Sequence, residues 1–475
     1  MNVTPRLHVD TVARSRIERG LARIRTTFAL PTAFPPTAVA EVGSLRDRYA
    51  ATRVDRRDLA LQTLDPAGSR DLDQAFSIKR RGSGWRVHYA IADVAAVVEP
   101  GGALDVEAWA RGVTVYLPDG RVPLHPPALS EGAASLLPGQ DTPALLWSID
   151  LDGDGSRKGV HVERALVRSR AQLAYADAQA QLAAGTAGRQ LHGLCDVGAL
   201  LAEQEAARGG VSLNLADQVV ERTPGGYGLR FDATTPVEEH NARLSLLTGM
   251  AAADLMVDAG VGVVRTLPPA AADALAALRA TAARMGVTWP ADVGYGDWIR
   301  AVDPATPRGV AVLTQALRTF RGAGYEAFMR RPTPRPVHAA LAAPYAHVTA
   351  PLRRLVDRYG GQIALDVAQQ QSVTDWAVAG LEGLPGAMAK ATQRAAAIDR
   401  AVLDLVEAVV LTGREGEAFE AVAVGSRNGA TVIHLLDPAT VATLPAGIDV
   451  APGTVVSVRL EQTDVDAGTV SFALA

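Results

Sequence analysis

The sequence predicts an α+β protein, and three observations carry that expectation. Short strand-like runs dominate residues 53–167, helical periods dominate residues 171–412, and strand signals return after Gly413. Strands followed by helices are the pattern of an α+β domain, and roughly sixty closing residues of short strands suit an OB-fold β-barrel. The expected division is therefore a small helical N-terminal domain over 1–52, a central domain over 53–412, and a barrel over 413–475. A length of 475 residues, at about 150 per domain, also suggests three.

In chain order, residues 10–30 read as a helix with Asp10 as a cap and Ala13, Ile17, Leu21 and Ile24 on one face, while Arg14, Arg16, Arg19, Arg23 and Arg25 lie elsewhere. The run Pro31 to Pro36 breaks it, and a second helix is expected over 37–50. The pair suits either a helix-turn-helix variant or a docking segment with a charged face. Strands are expected at Ala60–Leu64, Ala75–Lys79, Trp85–Val94, Val113–Leu117, Leu145–Leu151 and Gly159–Val167, with Arg81–Gly84 as a hairpin turn. Helices then follow, interrupted by a strand-like stretch at Val211–Leu229 and the proline-rich Arg331–Pro336. The last strands are expected at Glu417–Gly425, Thr431–Leu435, Thr454–Gln462 and Thr469–Ala473.

Composition excludes several classes. With 48% hydrophobic and 21% charged residues, the chain is neither mainly disordered nor fibrous. A net charge of −4 removes the argument from a strongly basic chain, but clustered arginines still permit an RNA groove. The only lysines are Lys79, Lys158 and Lys390, so nearly all basic residues carry the planar fork suited to phosphate, although codon bias gives the same count. Cys195 is the sole cysteine, which excludes internal disulfides and fits a reducing, cytoplasmic setting. The apolar stretch Leu244–Val264 contains Asp254 and Asp258, so a buried helix is expected there and no membrane partner. A monomer is the expected state.

The most informative stretch is Thr63-Leu-Asp65-Pro-Ala-Gly-Ser-Arg-Asp71-Leu-Asp73-Gln-Ala75. Extended backbone points Asp71 and Asp73 to one side, and Pro66 with Gly68 allows a turn that returns Asp65 beside them. Three converging carboxylates repel one another without a cation, and all-oxygen ligands select magnesium, with manganese as the alternative. The competing reading is a polar loop in which Asp65 caps a turn. A second acidic run, Asp150-Leu-Asp152-Gly-Asp154-Gly155, resembles the start of a calcium loop, but its twelfth position is His161, so a hairpin turn is expected. In Thr349-Ala-Pro351-Leu-Arg353-Arg354, Thr349 reads as an N-cap, which puts both arginines in a first helical turn. The helix dipole disfavours cations there, and a nearby phosphate resolves the conflict. The competing reading pairs an arginine with Asp357.

The Asp65–Ala75 segment, together with Tyr89-Ala-Ile-Ala-Asp93-Val, Arg111-Gly-Val-Thr-Val-Tyr116-Leu-Pro, Pro127-Ala-Leu-Ser130-Glu-Gly, Ser135-Leu-Leu-Pro-Gly139 and His347-Val-Thr-Ala-Pro-Leu-Arg353-Arg354, resembles the catalytic (RNB) domain of the ribonuclease II family. The resemblance runs in order from about Arg53 to Leu411, and the barrel lies where that family has an RNA-binding OB domain. It implies a magnesium-dependent exoribonuclease that degrades single-stranded RNA from the 3′ end to nucleoside 5′-monophosphates. Carried over by position, Asp65, Asp71 and Asp73 match three active-site aspartates, with Asp73 at the heart of the site, and the fourth position is Gln74, a neutral ligand. Arg353 matches a residue that assists cleavage, with Arg354 beside it on the substrate. Tyr116 matches an aromatic that stacks on a 3′-terminal base, Tyr175 one that influences final fragment length, and Asp399 falls where relatives carry a glutamate near the cleaved phosphate.

Departures from the pattern are Ala95-Ala96, Leu355, and a helix near Leu244–Met250 without its usual acidic start, although Glu238 and Glu239 lie just upstream. Only 64 residues precede Asp65, too few for two cold-shock barrels, so RNA entry is expected to be guided by the basic N-terminal helices. Two rivals stay open. One is a catalytically weak RNA-binding protein that uses the same channel without cleavage, which Gln74 favours; the other is a metal phosphoesterase acting on DNA or small nucleotides.

Overall fold

The computed structural model describes residues 11–213, 215–223 and 226–475. The first helices are α1 (Thr11–Thr27) and α2 (Pro36–Val42). Ile17, Leu21 and Ile24 of α1 are buried, as the apolar spacing requires. The expected second helix over 37–50 stops early. Gly43 caps it, and the Asp47 carboxylate accepts the Tyr49 N–H at 3.0 Å, a local bond that competes with helix.

The central domain begins with β1 (Val54–Asp55), β2 (Leu61–Asp65), β3 (Gln74–Arg81) and β4 (Gly84–Ala92), then α3 (Val94–Val97) and α4 (Ala103–Arg111). The small hairpin β5 (Val115–Leu117) and β6 (Gly120–Val122) precedes the long strands β7 (Asp141–Leu151) and β8 (Arg157–Ala174). The sheet order is β1-β8-β2-β3-β4-β7, with β8 also paired to β7. β8 runs antiparallel to β7 along its first part and parallel to β2 along its last. The mixed sheet therefore closes on itself, with Phe76, Ile78, Tyr89, Ile91, Trp147 and Ile149 buried in the main core. The Asp150–Gly155 run forms the β7–β8 turn, where Asp152 N–H donates to Ser156 O at 2.8 Å, and Arg86 holds Asp150.

The helices α5 (Tyr175–Ala183) and α6 (Arg189–Ala207), the hairpin β9 (Asp217–Thr223) and β10 (Gly226–Asp232), and α7 (Pro236–Ala259) follow. A capping box between Thr235 and Glu238 fixes the start of α7. The apolar stretch expected as one helix to Val264 is divided. Gly260, at φ 79°, ends α7, and β11 (Gly262–Thr266) pairs with β12 (Gly324–Phe328). Between these strands lie α8 (Ala272–Arg284), α9 (Tyr295–Arg300) and α10 (Pro307–Ala316); after them come α11 (Leu355–Ala368), α12 (Asp375–Gly380) and α13 (Leu384–Leu411). Helix α1 packs against α13 and the β5–β6 hairpin through Ile17, Leu21, Val115, Val122, Ile398 and Leu405, while α2 packs on α4.

The C-terminal strands are β13 (Ala418–Arg427), β14 (Ala430–Leu435), β15 (Thr440–Thr443), β16 (Val455–Asp464) and β17 (Thr469–Leu474). They form one antiparallel sheet in the order β15-β14-β13-β16-β17. Irregularities at Ala423/Gly425 and Leu460/Gln462 bend it, so the sheet curls and β15 comes against β17. This is the expected OB-type barrel, with a core of Phe419, Ile433, Leu435, Val458, Leu460 and Phe472. Among the described residues, no helix is long and apolar enough to cross a membrane.

Candidate active site

Asp65 is the last residue of β2, and the loop to β3 carries Asp71 and Asp73. Gly68 adopts φ 82°, which permits the reversal after Pro66. Ser135, itself fully buried, pins the loop: its hydroxyl donates to Arg70 O at 2.6 Å and accepts Leu72 N–H at 3.0 Å. Leu72 is fully buried between the two aspartates and anchors them. All three carboxylates line one cavity of about 540 Å³, together with Gln74, Tyr116, Tyr175 and Arg353. Among the described residues they do not form a ready-made cluster of metal ligands.

Each carboxylate has a distinct setting. Asp73 is 3% exposed; it accepts Leu352 N–H at 2.7 Å and faces Arg353 Nε at 3.3 Å. Burial outweighs both contacts and pushes its carboxyl up to about 7. Asp65 is pushed up to about 6, again mainly by burial, with Arg353 opposing and Asp71 reinforcing the shift. Asp71 is held by the β5–β6 hairpin: Arg121 Nη1 lies 2.6 Å from Oδ1, and the Tyr116 hydroxyl donates to Oδ2 at 3.4 Å. Gln74 accepts the phenol of buried Tyr89 on its side-chain oxygen. The neutral ligand expected from the sequence thus already carries a hydrogen bond.

Two expectations about the arginine segment are corrected. Helix α11 begins at Leu355, and Arg354, at φ −135° and ψ 128°, occupies the N-cap position in place of Thr349. Residues 351–353 form a turn ahead of it, so neither arginine sits in the first helical turn. The reason is Asp357, whose Oδ1 accepts Ala350 N–H at 2.6 Å while both its oxygens bind the Arg354 fork at 3.0 Å. Arg354 is therefore committed to a buried carboxylate, and its expected place on the substrate is not what the geometry gives. Arg353 does face the cavity, with its side chain 43% exposed.

Tyr116 lies on β5 and is 49% exposed. Tyr175 opens α5, and its hydroxyl accepts from Asn241 Nδ2 at 3.1 Å. Asp399 lies exposed on α13 and is not part of the cavity lining, because the packed face of that helix runs through Ile398 and Val402. The sequence reading missed Arg121, Asn241 and Ser245, all of which line the cavity. A signal for Arg121 was present: Pro118-Asp119-Gly120 is a turn sequence, and the hairpin sets Tyr116 opposite Arg121. That hairpin is braced by Arg25 of α1, which holds Asp119 with two nitrogens at 2.7 and 2.9 Å. Arg23 meets Asp466 of the β16–β17 turn at 2.7 Å, and Val465 packs beside it.

The sequence profile described as RNB domain matches residues 53–361, and that of the RNase II-type exonuclease C-terminal S1 domain matches residues 417–475. The chain is 30% identical over 362 residues to Ribonuclease R of Escherichia coli (strain K12), covering 70% of this chain and 43% of that protein. It thus spans less than half the length of that relative. Mycoplasma genitalium RNase R in complex with ribose methylated single-stranded RNA superposes with a TM-score of 0.86 over 97% of this chain and 78% of that one, at 18% identity. Yeast Ssd1, a pseudonuclease, superposes with a TM-score of 0.67 over 90% of this chain and 54% of that one, at 15% identity. These structural likenesses establish the fold, which is shared by proteins that cut and one that does not.

Proposed function

The chain belongs to the RNB-domain family, and on that premise we propose that it is a hydrolytic 3′-to-5′ exoribonuclease acting on single-stranded RNA. The reading takes magnesium, or manganese, as cofactor, nucleoside 5′-monophosphates as products, and the protein as a cytoplasmic monomer. One observation carries it: Asp65, Asp71, Asp73, Tyr116, Tyr175 and Arg353, drawn from distant parts of the chain, line a single cavity.

The donor set fits a hard divalent cation. Its oxygens are carboxylates, and two of them are pushed up by burial, a condition that a bound dication relieves. Asp65 and Asp73 would hold the ion, which when bound supplies an activated water and a Lewis acid for the phosphoryl oxygens. The remaining work falls to the protein. The half-exposed Arg353 fork neutralises charge that develops on the phosphate. The exposed Tyr116 ring offers a face to the terminal base, and stacking of this kind tolerates any sequence. Tyr175, fixed by Asn241, limits how far the strand enters. The 413–475 barrel supplies RNA contacts beyond the cavity.

The test mixes the full chain with 5′-labelled single-stranded RNA, with and without magnesium, and resolves the products over time. Magnesium-dependent shortening from the 3′ end with release of mononucleotides is the expected result. Binding without shortening, in magnesium and manganese alike, refutes it. That outcome favours the second reading, a non-cutting RNA-binding protein, for which the Tyr89 bond to Gln74 and the Arg121 hold on Asp71 speak.

A further inference from the structure

Arg121 bridges two carboxylates at the cavity. Nη1 lies 2.6 Å from Asp71 Oδ1, and Nη2 pairs with Glu131 Oε1, so the fork is held at both ends. Its cross-strand partner Tyr116 donates to the other oxygen of Asp71, so one hairpin engages both carboxylate oxygens. The hairpin is itself fixed through Asp119 by the bidentate grip of Arg25. In the same cavity, Gln74 brings no charge and its oxygen accepts the Tyr89 phenol. Two divalent ions side by side require several shared carboxylates to offset their repulsion. Here Asp71 is held at 2.6 Å by a guanidinium that it shares with Glu131, whereas the half-exposed Arg353 stands farther from Asp73, at 3.3 Å, and the fourth position, Gln74, is neutral.

We propose that Arg121 is a built-in counter-cation that takes the place of a second divalent ion on Asp71, leaving a site that holds one metal ion through Asp65 and Asp73. This deepens the exoribonuclease reading and rests on it. Arg121 acts as a positioning residue: it keeps Asp71 oriented and the cavity's charge balanced, with no role in touching the reacting atoms.

The experiment counts manganese bound to RNA-free full-length protein by electron paramagnetic resonance of the unbound ion. The wild type and Gln74→Asp bind one ion per chain, because a restored carboxylate alone does not remove the guanidinium. The double variant Gln74→Asp/Arg121→Gln binds two. Gln74→Asp/Arg121→Lys, which keeps the charge, binds one and controls for a misfolded hairpin. Two ions on Gln74→Asp alone, one on the double variant, or none on the wild type overturns the proposal. RNA affinity in chelator supplies a further check: a tenfold or greater loss in Arg121→Gln, with no change in ion count, makes Arg121 a phosphate anchor instead. Because the count uses no RNA, the two failures are distinguishable: one ion bound with no shortening fails the exoribonuclease reading, whereas shortening with two ions on the wild type or on Gln74→Asp fails this inference alone.

Discussion

Replacing Asp73 with asparagine sets activity against stability. The native carboxyl is pushed up to about 7 from an ordinary 3.8 by burial that its contacts with Arg353 and Leu352 N–H do not offset. In the unfolded chain it releases its proton near the ordinary value. The contribution of this group to the stability of metal-free protein therefore falls as pH rises from about 4 to about 7 and is constant above that. A difference of this size is worth about 4 kcal/mol, an order-of-magnitude ceiling that needs no discount for exposure because Asp73 is 3% exposed. Asparagine has no proton to lose and its oxygen still accepts the Leu352 N–H. In chelator at pH 8, Asp73→Asn should thus unfold at a higher denaturant midpoint than the wild type, with the gap closing toward pH 4. Magnesium should stabilise the wild type alone. Turnover of the variant should fall to background while RNA binding is spared. Equal midpoints at pH 8, or near-normal turnover, would refute the assignment of Asp73 as a buried, metal-holding carboxylate.

Other outcomes follow from the same geometry. Arg354→Ala leaves Asp357 buried without its fork, which costs about 3–5 kcal/mol; a lowered melting midpoint with unchanged RNA affinity of the folded protein checks this. Arg25→Ala removes a bidentate pair whose side chains are 28% and 26% exposed. After screening this is worth about 1 kcal/mol, so KM for RNA should rise about fivefold with kcat nearly unchanged in steady-state assays. Asp399→Ala should alter turnover by less than about twofold, since that residue lies outside the cavity; a loss of tenfold or more restores it to the site.

The strands of the central sheet and the closing barrel were legible because alternation and turn residues mark them locally. That Asp65, Asp71 and Asp73 face one cavity was legible because two-residue spacing and the turn at Pro66 and Gly68 act over a few residues. What stayed hidden depends on partners far along the chain. The fate of Arg354 is set by Asp357, three residues on but placed by the turn at Pro351; the competing reading named Asp357 as a partner, but the sequence left open which arginine it takes. The division of the apolar stretch at Gly260 follows from β12, more than sixty residues later, which gives β11 a strand to pair with. Gln74 was seen as a neutral ligand, but its bond to Tyr89 requires β3 and β4 to lie in register. Asp399 was placed by a helical alignment in which a shift of one position moves a side chain from one face to another.

The C-terminal end of α1 meets two parts of the molecule that contact RNA in the proposed reading. Arg25 holds the turn that joins Tyr116 to Arg121, and Arg23, two residues away, meets the turn that joins β16 to β17. A helix end transmits displacement as a unit, whereas a loop absorbs it. The barrel and the Tyr116–Arg121 hairpin consequently share one support. In the proposed reading, an RNA strand drawn through the barrel therefore bears on the same helix end that braces the hairpin carrying Tyr116.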